Sequence, residues 1–139
     1  MFKKRAKAAP QPYSRAMSAT ILVMDDDEGM RELLRLYLSN AGYEVLLAED
    51  AFAAGNFLLE RRVDLLLADI EMPFMDGLDL VQALRNDPAI CKMPVVFVTS
   101  HGQYEARGKE LGAVAYLRKP VRQDLLLATV EKHLAAATS

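Results

Sequence analysis

The chain has 139 residues, 52% of them apolar and 26% charged, which fits one globular domain and leaves no room for a second full one. It contains neither the run of about 18 apolar residues that a membrane span needs nor the N-terminal apolar stretch of a signal peptide, so we expect a cytoplasmic protein. Residues 1–19 carry five basic side chains and no acidic one, whereas the rest of the chain has a net charge of −7, which argues against nucleic acid as the partner of this chain.

The first 19 residues differ in composition from the rest. Their basic side chains are interspersed with alanine and proline, and no hydrophobic periodicity is present. We expect residues 1–19 to be a flexible basic extension and residues 20–139 to form the folded domain.

Five short apolar runs follow, separated by longer stretches. The runs are Ile21–Met24, Val45–Ala48, Val63 with Leu65–Ala68, Val95–Val98 and Ala115–Leu117. Three of them show no alternation with polar residues, which is typical of parallel strands covered on both faces. We therefore predict five strands.

The stretches between the runs have helical periodicity. The first places its apolar residues from Met30 to Leu38 on one face, and Gly42 suits the left-handed position after its end. The other helices are predicted over residues 51–61, 77–86, 103–111 and 122–136. Five βα units joined by right-handed crossovers favour an α/β fold with an open, doubly wound parallel sheet.

Polar or charged residues follow four of the five predicted strands. They are the acidic run 25–28 after the first strand, Asp69 after the third, Thr99 and Ser100 after the fourth, and Lys119 after the fifth. Ligands of open parallel sheets bind beyond these carboxyl ends, so the side chains are expected to share one crevice.

The chemistry of this set suits a phosphoryl group and a hard cation. Crowded carboxylates raise the pKa of some members unless a cation is present, and Mg²⁺ takes carboxylate and phosphate oxygens. A Cys/His zinc site is not credible, because the chain has one cysteine and two histidines. Lys119 supplies a charge for phosphate, Thr99 a hydroxyl donor, and a carboxylate the candidate nucleophile.

Four segments together resemble the receiver domain of two-component response regulators. They are ILVMDDD (21–27), DIEMPFMDG (69–77), VTS (98–100) and YLRKP (116–120), and the resemblance covers about residues 20–136. It implies a flavodoxin-like (βα)5 fold with strand order 2-1-3-4-5.

The resemblance also implies roles for individual residues. Asp69 would accept a phosphoryl group from a histidine kinase or a histidine phosphotransfer protein. Mg²⁺ would be held by Asp25, Asp26, Asp69 and the backbone carbonyl of Glu71. The remaining roles are Thr99 and Lys119 as phosphoryl contacts, Tyr116 as an aromatic switch, and a cis peptide bond between Lys119 and Pro120.

Two features depart from or refine this pattern. Only thirteen positions separate Thr99 from Gly112, about two fewer than in the receivers that this sequence resembles, so the fourth helix is expected to be short or shifted. Glu71 and His101 stand two residues after Asp69 and Thr99, positions that in the family tune hydrolysis of the acyl phosphate.

We expect a stand-alone phosphoacceptor signalling domain rather than an enzyme, with no output domain after the fifth helix. It would signal by a phosphorylation-dependent protein contact or through a phosphorelay. One alternative is a constitutive adaptor whose site is structural. Another is a magnesium-dependent phosphatase, which lacks support because no cap segment for a substrate is evident.

Overall fold

The computed structural model describes residues 19–72 and 75–138. Strands and helices alternate along the chain. The strands are β1 (Thr20–Met24), β2 (Glu44–Ala48), β3 (Leu65–Ala68), β4 (Val95–Thr99) and β5 (Ala115–Arg118). The helices are α1 (Glu28–Asn40), α2 (Ala51–Glu60), α3 (Gly77–Arg85), α4 (Glu105–Glu110) and α5 (Gln123–Thr138).

The five strands form one parallel sheet in the order β2-β1-β3-β4-β5, as predicted. β1 lies between β2 and β3. Its last residue, Met24, pairs with Ala48 of β2 on one side and with Ala68 of β3 on the other. Its five residues are all buried, in agreement with an apolar run that shows no alternation.

Helices cover both faces of the sheet. α1 and α5 pack on one face through Leu34, Leu38 and Leu126. α2 and α3 pack on the other face through Ala54 and Leu80. Each face of the sheet thus carries one buried apolar cluster, and packing on both faces fixes the positions of the strand ends.

Acidic side chains begin three of the helices. Asp27, Asp50 and Asp76 are the N-caps of α1, α2 and α3, and each carboxylate accepts a hydrogen bond from the backbone N–H three residues later. Gly42 follows α1 with φ of 101°, the left-handed conformation predicted for it.

The fourth helical segment differs from the prediction of one helix over residues 103–111. It consists of a 3₁₀ turn, Gly102–Tyr104, followed by the six residues of α4. Neither the turn nor α4 has a side-chain N-cap, which leaves the start of the segment without the local signal that the first three helices have. The expectation of a short fourth helix is confirmed.

The end of α4 is tied to the neighbouring loop by Arg85 of α3. Its guanidinium donates to the carbonyls of Leu111 and Gly112 after α4, and to those of Cys91 and Met93 before β4. The Arg85 side chain thus joins the loop that leads into β4 to the loop that leads into β5.

The predicted extension lies outside the described residues except for Ala19, which is buried and accepts a hydrogen bond from the backbone N–H of Glu44. Among the helices of residues 19–72 and 75–138, none has both the length and the apolar character to cross a membrane.

Candidate functional site

The sheet register brings the predicted strand-end residues together. Asp25 follows Met24 and Asp69 follows Ala68, and these two strand residues are paired partners in neighbouring strands. The ladder continues past the strands, because the backbone N–H of Asp69 donates to the carbonyl of Met24 at 2.9 Å. The two carboxylates therefore leave the sheet side by side.

Lys119 reaches these two carboxylates from the end of β5, the edge strand of the sheet. Its Nζ lies 2.6 Å from Oδ2 of Asp25 and 3.2 Å from Oδ2 of Asp69. The residue follows β5, and the peptide bond between Lys119 and Pro120 is cis, as the resemblance implied. One ammonium group is thus shared between two carboxylates that are almost completely buried.

Asp25 is held by its own loop. It is 1% exposed, and its Oδ1 accepts a hydrogen bond from the backbone N–H of Asp27 at 2.9 Å. Its carbonyl accepts from Nη1 of Arg31 at 2.7 Å. Burial raises the pKa of this carboxyl, and the bonds from Lys119 and Asp27 offset only part of that effect.

The pKa of Lys119 is also raised. Burial opposes its charge and is the largest single effect, but the hydrogen bond and charge of Asp25, together with those of Asp69, outweigh it. The rise of the Asp25 pKa comes mainly from burial, and repulsion from Asp69, the cause expected from the crowding of carboxylates, is the smallest contribution.

Asp69 is positioned by the loop that follows it. Its Oδ1 accepts the backbone N–H of Ile70 at 2.7 Å. The chain then returns so that the N–H of Gly77 donates to the carbonyl of Ile70 at 2.7 Å. A Cβ on Gly77 would lie 2.1 Å from the carbonyl oxygen of Asp69, so only glycine fits this approach.

The acidic residues can supply the ligands of a hard cation. Asp25, Asp26 and Asp69 each offer an oxygen atom, and the three atoms lie within 4.8 Å of one another. Asp26 is exposed whereas the other two are buried, which leaves one side open to water. Carboxylate oxygens with room for water fit Mg²⁺, whose octahedral shell retains several waters.

Thr99 and Tyr116 lie on β4 and β5, the two strands on the other side of β3 from β1. Thr99 ends β4, is fully buried, and its hydroxyl accepts the backbone N–H of His101 at 3.3 Å. Tyr116 of β5 is partly buried against Phe97, with ring centroids 6.1 Å apart, and its hydroxyl donates to the carbonyl of His101. Both side chains therefore contact the segment that leads into α4.

The side chain of Glu71 makes contacts that the sequence analysis missed. One carboxylate oxygen lies 3.2 Å from Nε2 of His101, and the other accepts the hydroxyl of Tyr104 at 2.9 Å. The rings of His101 and Tyr104 meet edge to face. This exposed cluster connects the loop after β3 with the 3₁₀ turn before α4.

Arg31 and Gly77 also shape the site, and the sequence analysis did not identify either of them. Arg31 lies on the polar side of a predicted helix, and nothing in the local pattern shows that it reaches the carbonyl of Asp25. Gly77 was quoted only as part of a motif. Its place directly after the N-cap residue Asp76 was the one available signal, and that signal indicates a helix start rather than a close approach to Asp69.

Comparisons with known proteins agree with this geometry. The response regulator receiver domain family matches residues 21–131. Response regulator MprA of Mycobacterium bovis is 40% identical over 114 residues, covering 81% of this chain and 49% of that protein. Response regulator Rre1 of Synechocystis is 37% identical over 119 residues, covering 84% of this chain and 52% of that protein. The chain thus spans about half the length of the curated relatives it matches.

Solved structures show the same architecture. The chemotaxis protein CheY4 of Vibrio cholerae superposes with a TM-score of 0.77 at 32% identity, covering 83% of this chain and 98% of that one. A CheY-like receiver domain protein from Methanospirillum hungatei gives a TM-score of 0.81 at 28% identity, covering 87% and 97%. With its strand order, its strand-end carboxylates and its match to the family, this chain belongs to the response regulator receiver domains.

Proposed function

We propose that this chain is a phosphoacceptor receiver that takes a phosphoryl group on Asp69 from a histidine kinase or a histidine phosphotransfer protein. Phosphorylation then signals through a protein contact or a phosphorelay. Working as a single-domain regulator is part of this proposal. The observation that carries it is the sharing of the Lys119 ammonium between the carboxylates of Asp25 and Asp69.

The proposed reaction transfers a phosphoryl group between two side chains. A carboxylate oxygen of Asp69 forms a bond to phosphorus while the P–N bond of the donor phosphohistidine breaks. The electron pair of that bond stays with the imidazole nitrogen, and a proton from solvent leaves the donor histidine as a neutral imidazole. Asp69 is 7% exposed, so the donor has to reach it through the open side next to Asp26.

The surrounding residues stabilise the charge that the phosphoryl group brings. Lys119 already contacts Oδ2 of Asp69 and can follow the negative charge onto a phosphoryl oxygen. The hydroxyl of Thr99 accepts from His101 and retains a proton that it can donate. When bound by Asp25, Asp26, Asp69 and the backbone carbonyl of Glu71, Mg²⁺ supplies positive charge for the phosphoryl oxygens.

The contacts of Thr99 also suggest how the state of Asp69 reaches the surface. A Thr99 hydroxyl drawn toward a phosphoryl group gives up its bond to the N–H of His101, whose carbonyl is held by Tyr116. We propose that Tyr116 is the switch, and that it favours one of two arrangements of the segment leading into α4.

Intact-protein mass spectrometry tests the reaction. Wild type incubated briefly with acetyl phosphate and Mg²⁺ is expected to gain one phosphoryl group. Asp69→Asn should gain none, and Lys119→Ala should gain it more slowly because the charge opposite the phosphoryl group is missing.

A beryllofluoride binding measurement distinguishes rapid hydrolysis from a lack of reaction. Wild type that neither gains a phosphoryl group nor binds beryllofluoride would overturn the proposal and favour the constitutive adaptor. Turnover of small phosphate esters would instead favour the phosphatase.

A further inference from the structure

The carboxylate of Asp26 is the least supported of the three that can bind a cation. Asp25 and Asp69 are buried, and their carboxylates accept hydrogen bonds from backbone N–H groups and from Lys119. Asp26 is exposed, and within residues 19–72 and 75–138 its carboxylate has neither a hydrogen bond nor an ion pair. Its place within 4.8 Å of the other two ligand atoms therefore depends on the backbone that carries it.

The backbone on both sides of Asp26 is held by one residue, Arg31 of α1. Its backbone N–H donates to the carbonyl of Asp27 at 3.0 Å, as part of the first turn of the helix. Its guanidinium Nη1 donates to the carbonyl of Asp25 at 2.7 Å. The carbonyl group of Asp25 belongs to the same planar peptide unit as the nitrogen of Asp26, so this second bond fixes the unit from which Asp26 projects.

Arg31 uses its charge on this carbonyl rather than on a carboxylate. In the part of the chain that the structure describes, its guanidinium forms no ion pair, although Glu28 and Glu32 lie on the same helix. Glu32 is paired instead with Arg35, 2.8 Å away. Arg31 is half-buried, and a charged donor makes a stronger hydrogen bond to a carbonyl than a neutral donor does. The bond to Asp25 is therefore the polar contact that holds the guanidinium in its place.

We propose that Arg31 is a positioning residue for Asp26: by holding the carbonyl of Asp25, it keeps the Asp26 carboxylate within reach of the cation that Asp25 and Asp69 also bind. This inference rests on the proposed function, because it takes Mg²⁺ as the cation of the site. It goes further in giving a role to a residue outside the ligand set.

The charge of Arg31 opposes this role, which makes the effect of its removal diagnostic. A guanidinium close to the site repels Mg²⁺, so removing the charge alone would strengthen Mg²⁺ binding. Removing the bond to Asp25 frees the peptide unit before Asp26, and an exposed carboxylate without contacts of its own then takes several orientations. That change weakens Mg²⁺ binding. If Arg31 acts by positioning, the second effect is larger than the first.

Calorimetric titration with Mg²⁺ at constant ionic strength tests the proposal. Arg31→Met should bind Mg²⁺ about tenfold more weakly than wild type, which is the scale found for residues that orient a metal ligand. Arg31→Lys keeps the charge and a donor of similar reach, so its affinity should lie between those of wild type and Arg31→Met. Circular dichroism without Mg²⁺ establishes that each variant is folded at the temperature of the titration.

Arg35→Met is the matched control. Arg35 lies about one turn further along α1, and it pairs with Glu32 instead of contacting the acidic turn at residues 25–27. The substitution removes the same charge from the same helix, and the Mg²⁺ affinity should stay within about twofold of wild type. An Arg31→Met variant that binds Mg²⁺ as tightly as this control, or more tightly, would overturn the proposal.

A double-mutant cycle with Asp26→Ala identifies the residue through which Arg31 acts. When Asp26 is already alanine, Arg31→Met should change the affinity by less than about twofold, because the carboxylate to be positioned is absent. Melting temperatures recorded up to about 100 mM Mg²⁺ give the affinities of variants that bind too weakly for calorimetry. A tenfold loss that persists without the Asp26 carboxylate would overturn the proposal, since Arg31 would then act through Asp25 or Asp69.

Phosphoryl uptake from acetyl phosphate gives an independent readout. At limiting Mg²⁺, Arg31→Met should gain the phosphoryl group more slowly than wild type, and at saturating Mg²⁺ the two rates should agree within about twofold. A rate that stays low at saturating Mg²⁺ would assign Arg31 to the phosphoryl donor and overturn its positioning role.

Failure of this inference and failure of the proposed function give different results. A wild type whose melting temperature and calorimetric signal do not respond to Mg²⁺ would overturn the proposed ligand set, and the role of Arg31 with it. A wild type that binds Mg²⁺ and gains a phosphoryl group on Asp69, beside an Arg31→Met variant that binds Mg²⁺ equally well, would overturn the role of Arg31 alone.

Discussion

Two clusters of acidic and basic groups lie at the same edge of the sheet and differ mainly in burial. In the first, Lys119 contacts Asp25 and Asp69 at 2.6 and 3.2 Å, and the three side chains are 13%, 2% and 9% exposed. In the second, Glu71 contacts His101 at 3.2 Å, with side chains 47% and 39% exposed. The distances are alike, but water screens the second cluster and hardly reaches the first.

This difference in burial determines how strongly the stability of each cluster depends on its charges. The buried cluster has one positive charge for two negative ones, so adding or removing a charge there has a large effect. The exposed cluster can open and close at little cost because water replaces each lost contact. Changes to the two clusters should therefore differ in size.

The largest effect is expected from removing the buried cation. Lys119→Met leaves two buried carboxylates without a counter-charge, and without Mg²⁺ at neutral pH we expect a loss of about 3 kcal/mol in the free energy of unfolding. Urea titration followed by circular dichroism measures it. The matched control is Lys109→Met, at a lysine whose side chain is 69% exposed, which should unfold like wild type.

Mg²⁺ should stabilise the folded chain by a slightly smaller amount. A ligand that binds only the native state adds about 2.7 kcal/mol at a hundredfold excess over its Kd. Thermal melts with and without millimolar Mg²⁺ measure the gain. It should be lost in Asp25→Asn with Asp26→Asn, and larger in Lys119→Met, where no ammonium competes. An unchanged wild-type melt would contradict the proposed ligand set.

The pH dependence should reveal the cost of burying Asp25. Because burial raises its pKa in the folded chain, the folded state takes up this proton at a higher pH than the unfolded state. The cost of the charge is absent below the unfolded pKa of 3.8 and fully present above the raised one. Without Mg²⁺, wild type should therefore gain stability relative to Asp25→Asn as the pH falls from 7 through the raised pKa of Asp25 in the folded chain. A constant difference between the two melts would be the contrary result.

The smallest effect is expected in the exposed cluster. Tyr104→Phe removes the hydroxyl that donates to Glu71, and both groups can bond to water instead. Its melting temperature should not differ from that of wild type beyond experimental error. A clear fall would show that the two clusters do not differ as their burial indicates.

The features that could be predicted from sequence are those set by local pattern. Uninterrupted apolar runs marked the buried strands, and the residues directly after them had to meet because parallel strands end at one edge. The approach of Asp25, Asp69 and Lys119 follows from that rule. The fold and the acidic cluster were therefore predicted together.

The features that could not be predicted depend on contacts between loops or on which side of an element faces solvent. Glu71 and Tyr104 are 33 positions apart, and only the folded loops bring them together. The outward side of α2 could not be chosen either, because its sequence is apolar around most of the helix, so the exposure of Phe52 and Leu59 was not foreseen.

The contacts at the two ends of α4 differ in strength, and the difference bears on how the proposed switch would displace the helix. The bonds from Arg85 hold the carbonyls of Leu111 and Gly112 at its end, whereas Tyr104 at its start is held by the exposed contact with Glu71. In the proposed switch, we expect α4 to turn about the end that Arg85 holds. The displacement should then be largest at Gly102–Tyr104 and smallest near Gly112, and a protein that senses it is expected to contact the amino-terminal end of the segment.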